Sequence, residues 1–351
     1  MSRFIQMHIL TSYPPSNLNR DDLGRPKTAK MGGVDRLRIS SQSLKRAWRT
    51  SDIFQESLSG NIGKRTKRLG KAVYDYLVEK GADAKKAKEW AKLISEQFGK
   101  PKKESKSKEL EDLEIEQIAH IGNEEWKDIF NLADLLVAEN RKPETGELDL
   151  LRKKQATVDI ALFGRMLASK PDYSVEAAAQ VAHALTVHPV TVEDDYFTAV
   201  DDLNRGEEDA GAGHVGEAGF AAGLFYLYTC INRELLKENL NGDKDLTNKT
   251  IEAFVDAALK VAPSGKQNSF ASRSYASYVL AEKGNQQPRS LSVAFLKPVI
   301  EQDMLKGAID RLEDARNKMD QAYGDCADDH KIMNVDARQG NLKDIQSFVK
   351  E

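Results

Sequence analysis

The chain has 351 residues, 40% of them hydrophobic, and a net charge of -3. This composition predicts a folded globule of one or two domains and argues against a generally basic protein that coats nucleic acid. No signal peptide, bilayer-spanning apolar run or closely spaced cysteine pair is present, so we expect a cytoplasmic protein without a membrane partner.

Positive charge is concentrated near the N-terminus. Residues 1–50 contain ten Lys and Arg against three acidic residues, whereas acidic residues outnumber basic ones in 51–150 and in 151–351. The near-neutral total therefore conceals a basic segment, which is the electrostatic signature of an anionic partner.

The first 26 residues are predicted to form a strand and then a loop. In residues 4–10, apolar side chains at alternate positions, such as Ile5 and Met7, are separated by Gln6 and His8, which is the period of a strand. The prolines, glycine, Asn and Asp of residues 13–26 predict a long irregular loop.

A second strand and a helix follow a glycine pair. The alternation in residues 34–39 predicts a strand on which Arg36 and Arg38 form a cationic face. Ser40 or Ser41 is suited to cap a helix at its N-terminus. The buried stripe of that helix is predicted to consist of Leu44, Ala47 and Trp48.

The corner between this strand and this helix carries the groups of a phosphate-binding site. Serine hydroxyls and the N–H groups of a helix N-terminus both contact phosphate oxygens. A second helix face adds a polar and cationic set at i, i+3 and i+7, and the preceding loop adds three more cations. These residues are Gln42, Lys45 and Arg49, then Arg20, Lys27 and Lys30. The alternative interpretation is a solvated basic helix face.

Residues 51–150 have the pattern of a helical insertion. Apolar residues recur at helical spacing around 72–77 and 129–136, and a low-complexity Lys-rich stretch interrupts them. Basic runs at 64–68 and 101–108 are either contacts for duplex DNA or solvated surface.

The remaining segments alternate between predicted strands and helices. We predict strands at 158–166, 223–231, 274–281 and 290–296, helices at about 247–262 and 300–322, and a hairpin at 191–219. Composition alone places Met166 in the core. The hairpin is acidic, but its apolar side chains would work as a wedge between unstacked bases and need no positive charge. They are Tyr196, Phe197, Thr198 and Val200.

Five sequence blocks resemble a known family. SNLNRDD at 16–22, GGVDRLRISSQSLKRA at 32–47, VDIALFGRM at 158–166, AHALTVH at 182–188 and YFTAVDDL at 196–203 are similar to the CasC backbone subunit of the type I-E Cascade, an RNA-guided CRISPR surveillance complex. The blocks occur in the family's order and span most of the chain.

The resemblance implies an α+β fold with an RRM-like (ferredoxin-like) palm, an inserted helical finger domain and a protruding β-hairpin thumb. The palm is expected in residues 1–50, 151–190 and 220–351, the finger in 51–150 and the thumb in 191–219. Extended structure is therefore expected at 177–190, where composition alone is ambiguous. Several copies are expected to polymerise along a CRISPR RNA, with other Cascade subunits and guide-paired target DNA as partners.

The RNA-binding residues that the residue pattern and the resemblance together imply lie in three regions. They are Asn19, Arg20, Lys27, Arg38, Ser40, Gln42, Lys45, Arg46 and Arg49 in the N-terminal segment, Met166 as an apolar wedge near the bases, and Phe197 and Thr198 in the hairpin.

No catalytic motif, metal site or cofactor is expected, because the six histidines lack partners at metal-ligand spacing. A non-catalytic RNA-binding scaffold is therefore predicted. Two alternatives stay open. One is a metal-dependent target-RNA nuclease of the type III kind, using Asp35 in a loop beside the basic strand. The other is an interaction protein whose basic patch binds an acidic partner.

Overall fold

The computed structural model describes residues 2–103, 110–154, 156–199 and 214–351. Its strands are β1 (Phe4–Ser16), β2 (Thr28–Met31), β3 (Val34–Ile39), β4 (Lys64–Thr66), β5 (Ala119–Ile121), β6 (Ala179–Val181), β7 (Ala184–Thr186), β8 (Glu193–Ala199), β9 (His214–Asn232), β10 (Tyr278–Gly284) and β11 (Asp329–Asn334). Its helices are α1 (Ser41–Arg49), α2 (Asp52–Ser57), α3 (Leu69–Glu79), α4 (Ala84–Ser95), α5 (Asn123–Glu139), α6 (Val158–Phe163), α7 (Arg233–Asn239), α8 (Lys244–Lys260), α9 (Gln267–Phe270), α10 (Met304–Tyr323) and α11 (Leu342–Lys350). In these four ranges, no helix is both long enough and apolar enough to cross a bilayer.

The chain divides into two compact units. Unit 1 comprises residues 1–54, 180–231 and 251–351, and unit 2 comprises residues 55–179 and 232–250. Unit 1 is built on a large, mainly antiparallel sheet, and unit 2 is mainly helical. The predicted α+β class is therefore confirmed.

In the large sheet, β1 is an interior strand, whereas β2 and β3 lie at one edge. Among the described residues it has nine strands, in the order β11-β10-β1-β9-β7-β3-β2, with β6 and β8 also pairing with β9. β1 is an interior strand between β10 and β9, and both of its faces are covered, since Gln6 and His8 are as buried as their apolar neighbours. The strand runs to Ser16, so the first part of the loop predicted at 13–26 is in fact strand.

The predicted cationic face of β3 is only half correct. Arg36 is fully buried and donates hydrogen bonds to the backbone oxygens of Thr186 at 3.1 Å, Phe295 at 2.9 Å and Met31 at 3.3 Å. Arg38, two residues further along the same face, stays half-exposed. Arg36 therefore joins β3 to its neighbours, and only Arg38 offers its charge to a ligand.

Two predicted strands are wrong. Residues 158–163 form α6, and every residue from Val158 to Leu162 is buried, so the sequence lacks the polar face by which a short helix is recognised. The Asp159 carboxylate lies 2.8 Å from His120 Nε2 and accepts from Gly63 N–H at 2.8 Å, which satisfies the one buried charge of the helix. Residues 292–295 form a short 3-10 turn rather than a strand.

The other predictions of secondary structure agree with the structure. The strand at 223–231 lies within β9, the second half of the strand predicted at 274–281 is the start of β10, and the helices near 247–262 and 300–322 correspond to α8 and α10. The ambiguous segment at 177–190 contains β6 and β7, so its extended interpretation is confirmed. The pairing of β8 with β9 confirms a hairpin stem, and residues 200–213 of the predicted hairpin lie outside the described residues.

Unit 2 contains a buried ion pair between Arg165 and Glu125. The Arg165 Nη1 and Glu125 Oε2 atoms are 2.7 Å apart, and both side chains are at most 1% exposed. Arg165 also donates to the backbone oxygens of Arg152 and Tyr173, while Glu125 accepts from the N–H groups of Gly122 and Arg152. The pair thus connects the start of α5 to the segment just before Met166.

We predict that Glu125→Gln destabilises unit 2 by about 3–5 kcal/mol, because it leaves the Arg165 guanidinium buried without its anion. The matched control is Glu124→Gln, since Glu124 pairs with Arg152 at the surface with 42% of its side chain exposed and should cost about 0–1 kcal/mol. Urea-dependent hydrogen exchange of the α5 amides measures both. Equal stability of the two variants would contradict the prediction.

Candidate nucleic-acid interface

A serine cap and an asparagine amide build the corner between β3 and α1. Ser40 is the N-cap, and its hydroxyl accepts from Ser43 N–H at 3.3 Å. The N–H of Ser40 itself donates to Asn19 Oδ1 at 2.8 Å. Of the two predicted caps, the structure therefore selects Ser40, and Asn19 ties the loop after β1 to the start of the helix.

Backbone hydrogen bonds bring the loop cation Lys27 next to β3. Lys27 N–H donates to the Asn19 oxygen at 2.8 Å, and Arg38 N–H donates to the Lys27 oxygen at 2.8 Å. Both side chains are half-buried. Two cations that are eleven positions apart in the sequence are thus held at one end of β3.

His183, a residue that the sequence did not single out as part of this site, lies next to Arg38 and within the electrostatic reach of Lys27 and Lys45. Arg38 Nη1 lies 3.3 Å from His183 Nδ1. Partial burial, and then the positive charges of Arg38, Lys27 and Lys45, lower the pKa of His183 below its ordinary value of 6.5. The segment before β2, strand β3 and helix α1 therefore direct their positive charge to one place, as a site for an anion requires.

The division of α1 into two faces agrees with the prediction, with one exception. Leu44 and Trp48 are buried, and the Trp48 ring packs edge-on against Phe254 at 5.4 Å, whereas Ala47 is half-buried. The polar set comprises exposed Gln42 and half-buried Lys45 and Arg49. The last turn of α1 carries Arg46 and Arg49, with which the negative end of the helix dipole interacts favourably.

Arg20 and Arg46 face a separate surface cavity of about 420 Å³. Asn19 and Ser43 line the cavity on one side, and the loop containing Gly265 lines it on the other. A Cβ atom at Gly265 would lie 2.4 Å from the Leu18 oxygen, so only glycine allows this close approach. Nothing in the local sequence signals that this loop, more than 200 residues further along the chain, completes the corner.

Met166 and the hairpin residues are exposed. Met166 is 83% exposed, so the expectation from composition that it belongs to the core is wrong. Phe197 is paired with Gly216 across the hairpin stem, and a Cβ atom at Gly216 would lie 2.3 Å from the Phe197 ring. Thr198 is exposed beside it, and Val200 lies outside the described residues.

Asp35 is located in β3 rather than in a loop. It lies opposite Lys30 of β2, and the Lys30 Nζ and Asp35 Oδ1 atoms are 3.0 Å apart. Within the described part of the chain, no three His, Cys, Asp or Glu side chains are placed to hold a metal ion together.

The two basic runs of unit 2 differ in how many of their positive charges are paired with acidic side chains. Lys64 and Arg65 are exposed on β4, while Arg68 is paired with Glu114. In the second run, Lys102 is paired with Glu111 and Glu114, and residues 104–108 lie outside the described residues.

We predict that Arg38→Gln raises the pKa of His183, because it removes one of the neighbouring positive charges. Added phosphate should raise the same pKa in the wild type, so that phosphate binds more tightly as the pH falls through the titration of His183. NMR titration of the His183 ring measures both effects, with Arg273→Gln as a control that removes an exposed charge elsewhere in unit 1. An unchanged His183 titration in Arg38→Gln would show that the cations do not converge on this ring.

Comparisons with known proteins show which family the chain belongs to. The family model for CT1975-like protein matches residues 5–349. A solved chain of a "CRISPR RNA-guided surveillance complex, pre-nicking" is 32% identical with a TM-score of 0.85, and a second chain, from a "CRISPR RNA-guided surveillance complex", is 26% identical with a TM-score of 0.75. Each alignment covers 99% of both chains. No curated protein sequence matches the chain. Because the family model spans nearly the whole sequence, the chain belongs to the CT1975-like protein family, and its resemblance to the CasC backbone subunit of Cascade is confirmed.

Proposed function

We propose that this chain is a non-catalytic backbone subunit that binds CRISPR RNA, polymerises along it and displays its bases for pairing with target DNA in antiviral defence. The observation that carries the proposal is that Arg38 lies beside His183 and is hydrogen-bonded through its backbone to Lys27, next to the capped start of α1, which contributes Lys45. The similarity to two CRISPR RNA-guided surveillance complexes supports the identity of the anion.

The RNA backbone follows the basic corner in this proposal. Phosphates contact the cluster of Lys27, Arg38 and Lys45, and the stripe of Gln42 and Arg49 on α1 continues the path. The cavity lined by Arg20 and Arg46 extends it on the other side of the helix. Because these contacts address the phosphates rather than the bases, the subunit accepts guides of any sequence.

The palm, finger and thumb are assigned on the same basis. The large sheet of unit 1 supports an RRM-like palm, which we assign to residues 1–50, 151–190 and 220–351, although residues 151–179 and 232–250 of these ranges belong to unit 2. The helices of unit 2 support a finger in residues 51–150. The hairpin at 191–219 is the thumb. Neighbouring copies of the chain and other Cascade subunits are the protein partners.

Met166 and the thumb act on the bases in this proposal. Met166 presents an exposed thioether directly after the buried Arg165, so its backbone is held while its side chain is accessible. Phe197 and Thr198 present apolar surface on the hairpin stem. Such surfaces separate stacked bases without any need for positive charge.

The nuclease alternative receives less support from the surroundings of Asp35. Its carboxylate is paired with Lys30 across β2 and β3, which is the arrangement of an ordinary cross-strand ion pair. The scaffold proposal therefore gives Asp35 a structural role.

We predict that Lys45→Ala combined with Arg49→Ala abolishes retention of the CRISPR RNA in the purified complex and leaves the fold intact. The matched control is Lys306→Ala with Lys318→Ala, which removes the same charge from exposed positions on α10. The measurement is the amount of RNA that co-purifies with the protein, together with the melting temperature. RNA retained at the wild-type ratio by a folded double variant would contradict the proposal.

The salt dependence of binding tests the same site quantitatively. If the wild type neutralises about six phosphates per subunit, a plot of log binding constant against log salt concentration for single-stranded RNA should have a slope of roughly -4. The double variant loses two of these contacts, so its slope should be shallower by roughly 1.4.

Competition with an acidic polypeptide tests the alternative of an interaction protein. Preference for the polypeptide over CRISPR RNA would favour the interaction protein instead.

We predict that Phe197→Ala leaves guide loading intact, since stacking contributes only about 1–3 kcal/mol per base beside a large phosphate contribution. Tolerance of mismatches at regularly spaced target positions should be present in the wild type and lost in the variant, because the wedge holds those bases away from the target. Target-DNA affinity for mismatches placed at each position in turn measures this, with exposed Tyr275→Ala as the aromatic control. A wild-type profile without periodic tolerance would make the hairpin an ordinary surface loop.

A further inference from the structure

A small apolar cleft opens on the sheet face that carries Arg38. Its volume is about 220 Å³. Met31 and Leu185 form half-buried walls, and the buried rings of Tyr226 and Phe295 form its floor. His183, whose Nδ1 lies 3.3 Å from Arg38 Nη1, is at its rim.

The register of the sheet explains why the cleft adjoins the cations. Arg38 is paired with Leu185, and Leu185 is paired in turn with Tyr226. Directly paired residues of antiparallel strands lie on the same face, so these three side chains form a row across β3, β7 and β9. The row leads from the cationic cluster into the apolar cleft.

The floor of the cleft is rigid and its polar groups are already satisfied. The Tyr226 hydroxyl accepts from Leu291 N–H at 3.0 Å and lies 2.9 Å from His8 Nδ1. Its ring is 5.1 Å from that of Phe295, whose backbone oxygen is held by Arg36. The two rings therefore present apolar surface to the cleft, and their positions do not depend on a ligand.

Two hydroxyl groups on one wall provide limited hydrogen-bonding capacity. Ser290 Oγ accepts from Ser292 N–H at 3.2 Å, and both serines line the cleft. A hydroxyl group can donate or accept, so this wall can satisfy the edge of any base without selecting one.

We propose that this cleft receives one nucleobase of the bound strand while the adjoining phosphate contacts the cluster of Lys27, Arg38 and Lys45. This inference rests on the proposed function. The cleft is smaller than the roughly 300–1,000 Å³ of pockets for drug-sized ligands, so it has room for a base and not for a whole nucleotide. Arg38, which lies beside His183 and Leu185 of the lining, favours a nucleotide over an apolar side chain of a protein partner, because such a side chain leaves the positive charge unbalanced.

The test is to fill the cleft and to compare two ligands. Ala182→Leu and Ser292→Leu each place a larger side chain in the lining of the cleft. The control, Ala337→Leu, adds the same side chain at an exposed turn. Each protein is titrated with a single-stranded RNA oligonucleotide and with an abasic oligonucleotide of the same length and charge. Melting temperatures show whether each variant is folded.

In the wild type and Ala337→Leu, the cleft should contribute about tenfold to the preference for base-bearing RNA over the abasic strand, as expected for the burial of one base. Both filled variants should lose that contribution and keep wild-type affinity for the abasic strand. The inference is overturned if folded variants keep the full wild-type preference for bases, or if they lose affinity for both strands equally. If the wild type binds neither strand, the proposed function itself fails.

Discussion

The buried guanidinium of Arg36 is the interaction on which the geometry of the site depends. It carries a full charge in a position with no solvent exposure, and three backbone oxygens from different segments accept its hydrogen bonds. Hydrogen bonds to a charged group are each worth about 1.5–3 kcal/mol, and an unsatisfied buried charge is costly. The three segments are therefore held at fixed distances from β3. They are the end of β2, the end of β7 and the turn at 292–295.

That constraint places the cationic cluster and the apolar cleft side by side. Arg38 follows Arg36 on the same strand face, and Phe295, whose oxygen Arg36 binds, is part of the floor of the cleft. Folding brings these cations together, and they repel one another. A phosphate at the proposed site would relieve this repulsion, so part of its binding energy would come from the charges that folding has gathered.

The parts of the site that are contiguous in sequence could be predicted, and those assembled by the sheet could not. The strand, the serine cap and the polar face of α1 follow from alternation, capping preference and helical spacing within residues 34–49. His183 and Gly265 join the site through the pairing of β3 with β7 and through a loop contact, which leave no mark on local sequence. Alternation also assigns a side chain to a face without saying how deeply that face is covered. For this reason Arg36 and Arg38 looked equivalent.

The errors in unit 2 have the same origin. A helix that is buried on all sides, such as α6, has no polar face to reveal its period, so β-branched residues next to polar ones resemble a strand. Met166 is apolar and would ordinarily be buried, yet it lies between Arg165 and Leu167, which are both buried, and its own side chain is exposed.

The contact between Phe197 and Gly216 has a consequence for the thermodynamics of any ligand that the hairpin stem meets. An exposed aromatic side chain normally samples several rotamers, and ordering it on association costs about 0.5–1.5 kcal/mol. Here the ring rests on the backbone of the opposite strand, in space that a larger residue would occupy. The conformational entropy of Phe197 is thus lost during folding, and association with a ligand proceeds without that cost.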